Sequence, residues 1–431
     1  MVDSPASRPS APGSLWRNRD FLLLWSGQGA GTLGPQVALV VLPLLALDQL
    51  HASSFQVSLL TSLGWLPYLL FSLPAGVLVD RLDQRRLMIA CDLGRMLLLA
   101  SVPLLALAGR LSLGWLYAVV GLAGVLTVVF TVAYRSRLPQ IVSPDQLVDA
   151  NGKLGLCESL AEIAGPGLGG MLTGAVGASR SLLANVLTYA LSATTLGLMR
   201  SPRKPSPAVP PATRRPPVRA ELRQGLDFVR REPVLLRLLL TTSASNFFVT
   251  AQGAVAVTFM VRELRAPSSA VGLVFALGSV GGLLSGLLAR RIADRFGSAR
   301  IIWLSMLLPG PLYFLMPLAG HGWGVLWYSV GLSALSANAT LFNTASLSYR
   351  QRVTPAALLS RVNAVYLWIA YGVIPLGSLT GGVLATAIGL RAALWVCALG
   401  MWSGALFVVF SPLRRMRDTP LAAAAGVPEP A

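Results

Sequence analysis

The sequence predicts an all-α polytopic membrane protein, with twelve transmembrane helices in two pseudo-symmetric six-helix bundles. Three observations predict it. The 431 residues are 54% hydrophobic and 12% charged, against about 25% charged in a soluble domain. The apolar residues come in runs of about 20 or more, which at about 1.5 Å per residue cross a hydrocarbon layer about 30 Å thick. A charged turn between two such runs also occurs twice: Asp80, Arg81 and Arg86 recur as Asp294, Arg295 and Arg300 at one common offset. A duplicated turn in an apolar chain points to two homologous halves.

The spans follow in order. Phe21–Leu47, Val57–Val79, Leu87–Ala108, Leu113–Ala133, Ala150–Val176 and Ser181–Met199 make the first half. Val234–Met260, Ala270–Leu288, Arg300–Leu318, Trp323–Leu347, Val362–Ile388 and Ala392–Phe410 make the second. The first, fifth and eleventh exceed the minimum length, so tilt or interruption is expected in them. The resulting units are a tail (1–20), a six-helix bundle (21–199), a linker (200–233), a second bundle (234–411) and a tail (412–431). Residues 201–217 are rich in Pro and Arg without apolar periodicity, which predicts a disordered or semi-extended linker. Arg219–Arg231 sets Leu222, Gly225, Leu226 and Val229 on one face, as in an amphipathic helix lying on the inner membrane surface. Two further matches carry the duplication: Asn151 and Gly169-Gly170 recur as Asn363 and Gly381-Gly382, and Tyr134-Arg135 as Tyr349-Arg350.

The net charge of +18 resides almost wholly in arginines of short loops and tails. It reads as a topology signal, and nucleic acid is not an expected partner. With the N-terminus inside, only Arg110, Arg180, Arg262, Arg265 and Arg391 fall on outer loops. The positive-inside rule then places both termini in the cytoplasm and the chain in the inner, or plasma, membrane. Three scattered cysteines and two histidines suggest neither a disulfide framework nor a metal site, and no cofactor is expected.

Gly76-Val-Leu-Val-Asp80-Arg81-Leu-Asp83-Gln-Arg85-Arg86 resembles the loop signature of the major facilitator superfamily, with Asp83 where the family carries Gly. Gly165-Pro166-Gly167-Leu168-Gly169-Gly170, with Gly152 before it, looks like the motif of the family's drug antiporters; Ala161 replaces one usual glycine. Leu15-Trp16-Arg17-Asn18-Arg19-Asp20-Phe21, Gly225-Leu226-Asp227-Phe228 and Arg361-Val362-Asn363-Ala364 resemble the enterobactin-exporter and macrolide-efflux-like branch, although Pro35 stands where many members carry Asp. The resemblance implies the major facilitator fold, alternating access and a small-molecule substrate. It also implies a gating role for Gly76, Asp80, Arg81 and Arg86. In the second copy, Asp294 and Arg295 follow Arg290, which occupies the place of the glycine.

Several residues stand out chemically. Asp92 and Arg95 lie one turn apart in the third span, as a structural or gating pair. Gly165, Pro166, Gly169 and Gly170 permit close helix approach and a bend. Glu158 and Glu162 share one face of the fifth span, where a charge costs about 2.5–3.5 kcal/mol. They are the candidates for proton coupling or substrate contact, because a carboxyl group there can hold a proton in one state and release it in another. Gln28, Asn246 and Asn338 lead the candidates for a cavity wall, with Gln36, Tyr68, Phe247, Gln252, Asn343 and Tyr366 behind them. Gly165-x-Gly167-x-x-Gly170 and Gly29-x-Gly31-x-x-Gly34 mimic a dinucleotide fingerprint, but both lie within spans and follow no strand.

The expected function is secondary active transport: proton-coupled efflux of a hydrophobic or amphipathic small molecule (antibiotic, siderophore or other secondary metabolite) by a monomer in the lipid bilayer. The alternatives are a proton-coupled uptake symporter of a small nutrient and a non-transporting membrane sensor. No nucleophile–base pair suggests an enzyme.

Overall fold

The computed structural model describes residues 15–143, 146–200 and 218–418, and the described residues form helices without strands. The expected linker over 201–217 and the outer parts of both tails lie outside the described residues. The first half comprises α1 (Arg19–Asp48), α2 (Ser54–Arg81), α3 (Gln84–Leu107), α4 (Leu113–Ile141), α5 (Leu147–Val176) and α6 (Leu183–Leu198). A linker helix (Val218–Arg231) leads into α7 (Pro233–Arg262), α8 (Ser268–Phe296), α9 (Arg300–Leu307), α10 (Leu326–Val353), α11 (Ala356–Gly372 continued by Ile374–Ile388) and α12 (Leu390–Val409). Eleven segments among the described residues are long and apolar enough to cross a membrane. The twelfth is α5, 30 residues long, whose hydropathy Glu158, Glu162 and its glycines dilute. Leu107, Leu187 and Leu287 stand about 70% exposed on outward faces, a placement suited to hydrocarbon as the solvent.

Local chemistry explains the helix ends. Ser53 and Gln56 form a reciprocal capping box at the start of α2, with bonds of 2.7 and 3.2 Å. Asp83, the departure from the family's loop signature, is the N-cap of α3: its carboxylate accepts from Arg86 N at 2.9 Å. Such a cap contributes about 1 kcal/mol. Gly177 and Gly389 end α5 and α11 at φ 85° and 87°, a region where a Cβ is penalised. They occupy equivalent places in the two halves.

Two spans are less regular than their apolar runs suggest. The ninth leaves α-helical geometry after Leu307, passes through a 3-10 segment at Gly310–Phe314 and resumes to Leu318. Pro309 and Pro311 flank Gly310 there, and both lack an amide donor. The eleventh is interrupted at Val373, just before Pro375.

The linker helix does more than rest on a surface. Gly225 packs on the Arg361 backbone at the start of α11, and Val229 is fully buried. Gly225 is the place where this close approach needs a residue without a side chain.

The halves meet along two seams, α5 with α8 and α2 with α11. In the first, Gly170 lies against Gly272; in the second, Gly382 lies against Ser58. Hydrogen bonds between the halves run from Ser378 Oγ to Ser58 O (2.7 Å), Ser62 Oγ to Pro375 O (3.2 Å) and Arg262 Nη2 to Ala52 O (2.6 Å). All belong to the middle of the spans or to the end remote from the chain termini. The halves are therefore joined at that far end.

Candidate functional site

A cavity of about 460 Å³ lies between the halves, within the range of about 300–1,000 Å³ typical of small-molecule sites. The first half contributes Gln36 and Leu39 from α1 and Glu162 and Pro166 from α5. The second contributes Thr242, Asn246 and Gln252 from α7, Phe275 and Ser279 from α8, and Asn338, Phe342 and Asn343 from α10, among others.

The glycine pattern of α5 sets where Glu162 points. Gly165 and Gly169 lie against Gln36 and Val37 of α1, while Gly167 and Gly170 lie against Ala276 and Gly272 of α8. At about 100° per residue, Glu162 and Pro166 fall on the face between these two contacts. That face looks into the cavity. Glu162 is the one ionisable side chain among the lining residues, and no ion pair to it occurs among the described residues. Its backbone carbonyl accepts from Ser279 Oγ across the seam at 3.1 Å.

Glu158 shares the face but lies a turn nearer the terminal end, about 6 Å along the axis. Like Glu162 it is exposed, but it does not line the cavity. The two carboxylates, paired by spacing, lie at different depths, and only Glu162 reaches the cavity. Gln28 is likewise displaced. It lies about 12 Å along α1 from Gln36, in a stretch where Gly27 and Gly29 pack against Thr195 and Cys157. The lining residue of α1 is Gln36.

The opposite wall is a set of amides oriented by the second half. Asn246 Nδ2 donates to Ala370 O at 2.7 Å, and Asn338 Nδ2 to Tyr313 Oη at 2.8 Å. Gln252 Nε2 donates to Tyr328 Oη. Asn338 Oδ1 is buried without a partner among the described residues. Below this wall Arg350 stacks 4.0 Å over the Tyr366 ring. The Tyr366 hydroxyl bonds to Thr242 and to Leu238 O at 3.2 Å. Ser279 has no counterpart in the sequence reading; its equivalent in the first half is Trp65, so the duplication offered no signal for it.

Asp92 and Arg95 pair inside the first half, fully removed from solvent, and do not reach the cavity. The Arg95 guanidinium lies 4.5 Å from the centre of the Phe130 ring and 4.4 Å from that of Tyr189. This geometry joins α3 to α4 and α6.

Each charged turn is tied within its own half. Arg85 donates to Leu196 O at 2.7 Å and to Gly197 O at the end of α6. At the second turn, Ala299 N donates to Arg417 O (3.1 Å) and Ser298 N to the Asp418 carboxylate (3.0 Å), beyond α12. Arg86, Asp294 and Arg295 are exposed, and a Cβ on Gly76 would meet nothing within 4 Å. The side chains of Asp80 and Arg81 lie outside the described residues.

Two duplicated six-helix bundles around a cavity of ligand size, joined at one end, have the architecture of a membrane transporter. The chain belongs to the Major Facilitator Superfamily, whose family model matches residues 24–375 and again 251–430. The chain is 27% identical over 421 residues to the multidrug efflux pump Tap of Mycolicibacterium fortuitum, covering 93% of this chain and 97% of that one. It is 24% identical over 384 residues to macrolide efflux protein A of Streptococcus pyogenes, covering 86% and 90%. Among solved structures, a bacterial homologue of the human lysosomal transporter Spinster, inward-facing and occupied, superposes with a TM-score of 0.71 at 16% identity, covering 94% and 98%. A bacterial homologue of the iron transporter ferroportin, inward-facing, gives 0.69 at 17% identity, covering 92% and 98%.

Proposed function

We propose that this transporter exports an amphipathic small molecule in exchange for protons, as a monomer in the plasma membrane with both termini in the cytoplasm. The observation that carries the reading is Glu162: one carboxylate, without an ion-pair partner among the described residues, in a cavity wall whose other described residues are uncharged. An acid in the wall of a cavity at the seam between two moving halves can exchange a proton with one side of the membrane and then the other. Similarity to the two efflux proteins supports the direction of transport. Joining of the halves at the far end supports an inward-facing state in which the cytoplasm reaches the cavity.

Alternating access then requires the glycine seams to part at the far end while the terminal ends close. The charged turns, including Asp80, Arg81 and Arg86, act as gates on the cytoplasmic side. The test is transport by purified protein in liposomes under an imposed pH gradient. Substrate-dependent release of protons from inside-out vesicles supports antiport. Substrate and proton movement in the same direction would establish the uptake symporter instead.

A further inference from the structure

One carbonyl of α5 is denied its regular helical donor. In an α-helix the carbonyl of residue i accepts from the amide of residue i+4. For Glu162 that residue is Pro166, which has no N–H. Ser279 of α8 supplies a donor from the other half: its Oγ lies 3.1 Å from Glu162 O. The same hydroxyl lies 3.0 Å from Phe275 O, one turn back in its own helix. A hydroxyl carries a single hydrogen, so the two carbonyls compete for it. Ser279 continues the face of α8 that meets α5, three residues beyond Ala276 and seven beyond Gly272, which lie against Gly167 and Gly170. Within this series it is the contact nearest the terminal end. The α2–α11 seam is an internal control. There Ser378 stands at the place of Pro166, Ile374 at that of Glu162 and Trp65 at that of Ser279. Ser378 keeps its amide within the helix that starts at Ile374, so Ile374 O has its regular donor. Where the proline is absent, the hydroxyl is absent too.

We propose that Ser279 is a positioning residue for Glu162: it stands in for the amide that Pro166 lacks, and does so only while the far end of the seam is closed. Helix carbonyls freed by proline in a membrane are met by Ser or Thr side chains of neighbouring helices. Here the neighbour belongs to the other half of the transporter. When α5 and α8 part, the hydroxyl turns to Phe275 O, and the turn bearing Glu162 loses its anchor. The state of the seam thereby reaches the residue whose carboxylate lines the cavity. The inference rests on Glu162 being the proton site, and it goes further by naming the group through which the seam acts on it.

The test is a double-variant cycle in the full-length protein in nanodiscs, read by spin labels at Arg110 and Gly320 after removal of the native cysteines. Ser279→Ala removes a bond made only in the closed state, so the balance should shift towards an open far end by about threefold to tenfold. Ser279→Thr keeps the hydroxyl and should hold the parent balance. Ser279→Val, of the same shape without the hydroxyl, should repeat the shift. In Pro166→Ala the amide of residue 166 serves Glu162 O in both states, so adding Ser279→Ala there should move the balance by less than about twofold. An unchanged balance in Ser279→Ala overturns the proposal. Equal behaviour of the Thr and Val variants does so too, as does a full shift in the Pro166→Ala background, since each makes Ser279 ordinary packing. The liposome assay described above separates the two readings. Proton release that survives Glu162→Gln removes the coupling role and leaves the Ser279 contact standing. Loss of proton release in Glu162→Gln, with no dependence of Ser279 on Pro166, does the reverse.

Discussion

Gly170 and Gly272 touch backbone to backbone across the α5–α8 seam. A Cβ built on Gly170 would stand 2.6 Å from Gly272 Cα, and one built on Gly272 would stand 2.8 Å from Gly170 Cα. Such contacts tolerate no side chain, so Gly170→Val must push the far ends of the halves apart. Overpacking of about 1–3 kcal/mol acts only on the state in which the seam is closed. A shift of about 5–150-fold in the balance of states follows. Spin labels on the far-end loops at Arg110 and Gly320, in a variant lacking the native cysteines, should show longer distances; an unchanged distribution would count against the seam as the moving contact.

The Asp92–Arg95 pair is buried at 0% and 4% side-chain exposure. Asp92→Asn leaves a guanidinium unpaired among Phe130 and Tyr189, and breaking a buried pair from one side costs about 3–5 kcal/mol. Combining it with Arg95→Met should recover much of that loss. Thermal unfolding of the detergent-solubilised variants measures both. Single and double variants of equal stability would show the pair to be incidental.

Glu162→Gln is expected to abolish proton-linked transport while leaving the folded fraction unchanged, because the amide keeps the shape but holds no exchangeable charge. Glu158→Gln, one turn outside the cavity, should retain more than half of the activity. Proton flux and substrate flux measured together in liposomes distinguish the two. Reversal of their order would move the coupling site towards the terminal end.

The turn between α8 and α9 is held by Arg417 and Asp418. Asp418→Ala removes the acceptor at 3.0 Å from Ser298 N, a loss of about 1 kcal/mol by analogy with helix caps. Hydrogen exchange of the amides at residues 298–300 should quicken about fivefold. Protection identical to that of the parent protein would mean the tail contributes nothing to the turn.

Much of this was legible in the sequence, because a membrane span is a long apolar run and a duplication repeats its charged turns. The α5 glycine pattern also announced a close approach. Depth was harder to read. Glu158 and Glu162 share a face by periodicity, yet only the packing of Gly165 and Gly170 on two different helices shows which one the cavity reaches. Gln28 and Gln36 differ in the same way: both are polar residues in one apolar helix, and only their height relative to the neighbouring spans separates them. The break in the ninth span was written in Pro309-Gly310-Pro311, but its apolar neighbours made the run look continuous.

Gly170 on Gly272 and Gly382 on Ser58 occupy matching positions of the repeat, since Gly170 corresponds to Gly382 and Gly272 to Ser58. They are one contact made twice about a pseudo-two-fold axis. An isologous dimer interface has this property, with each partner offering the same patch to the other. The two halves of one chain thus meet in the way two copies of a symmetric dimer would. The symmetry stops at the chemistry: the place that Glu162 fills in α5 is taken by Ile374 in α11.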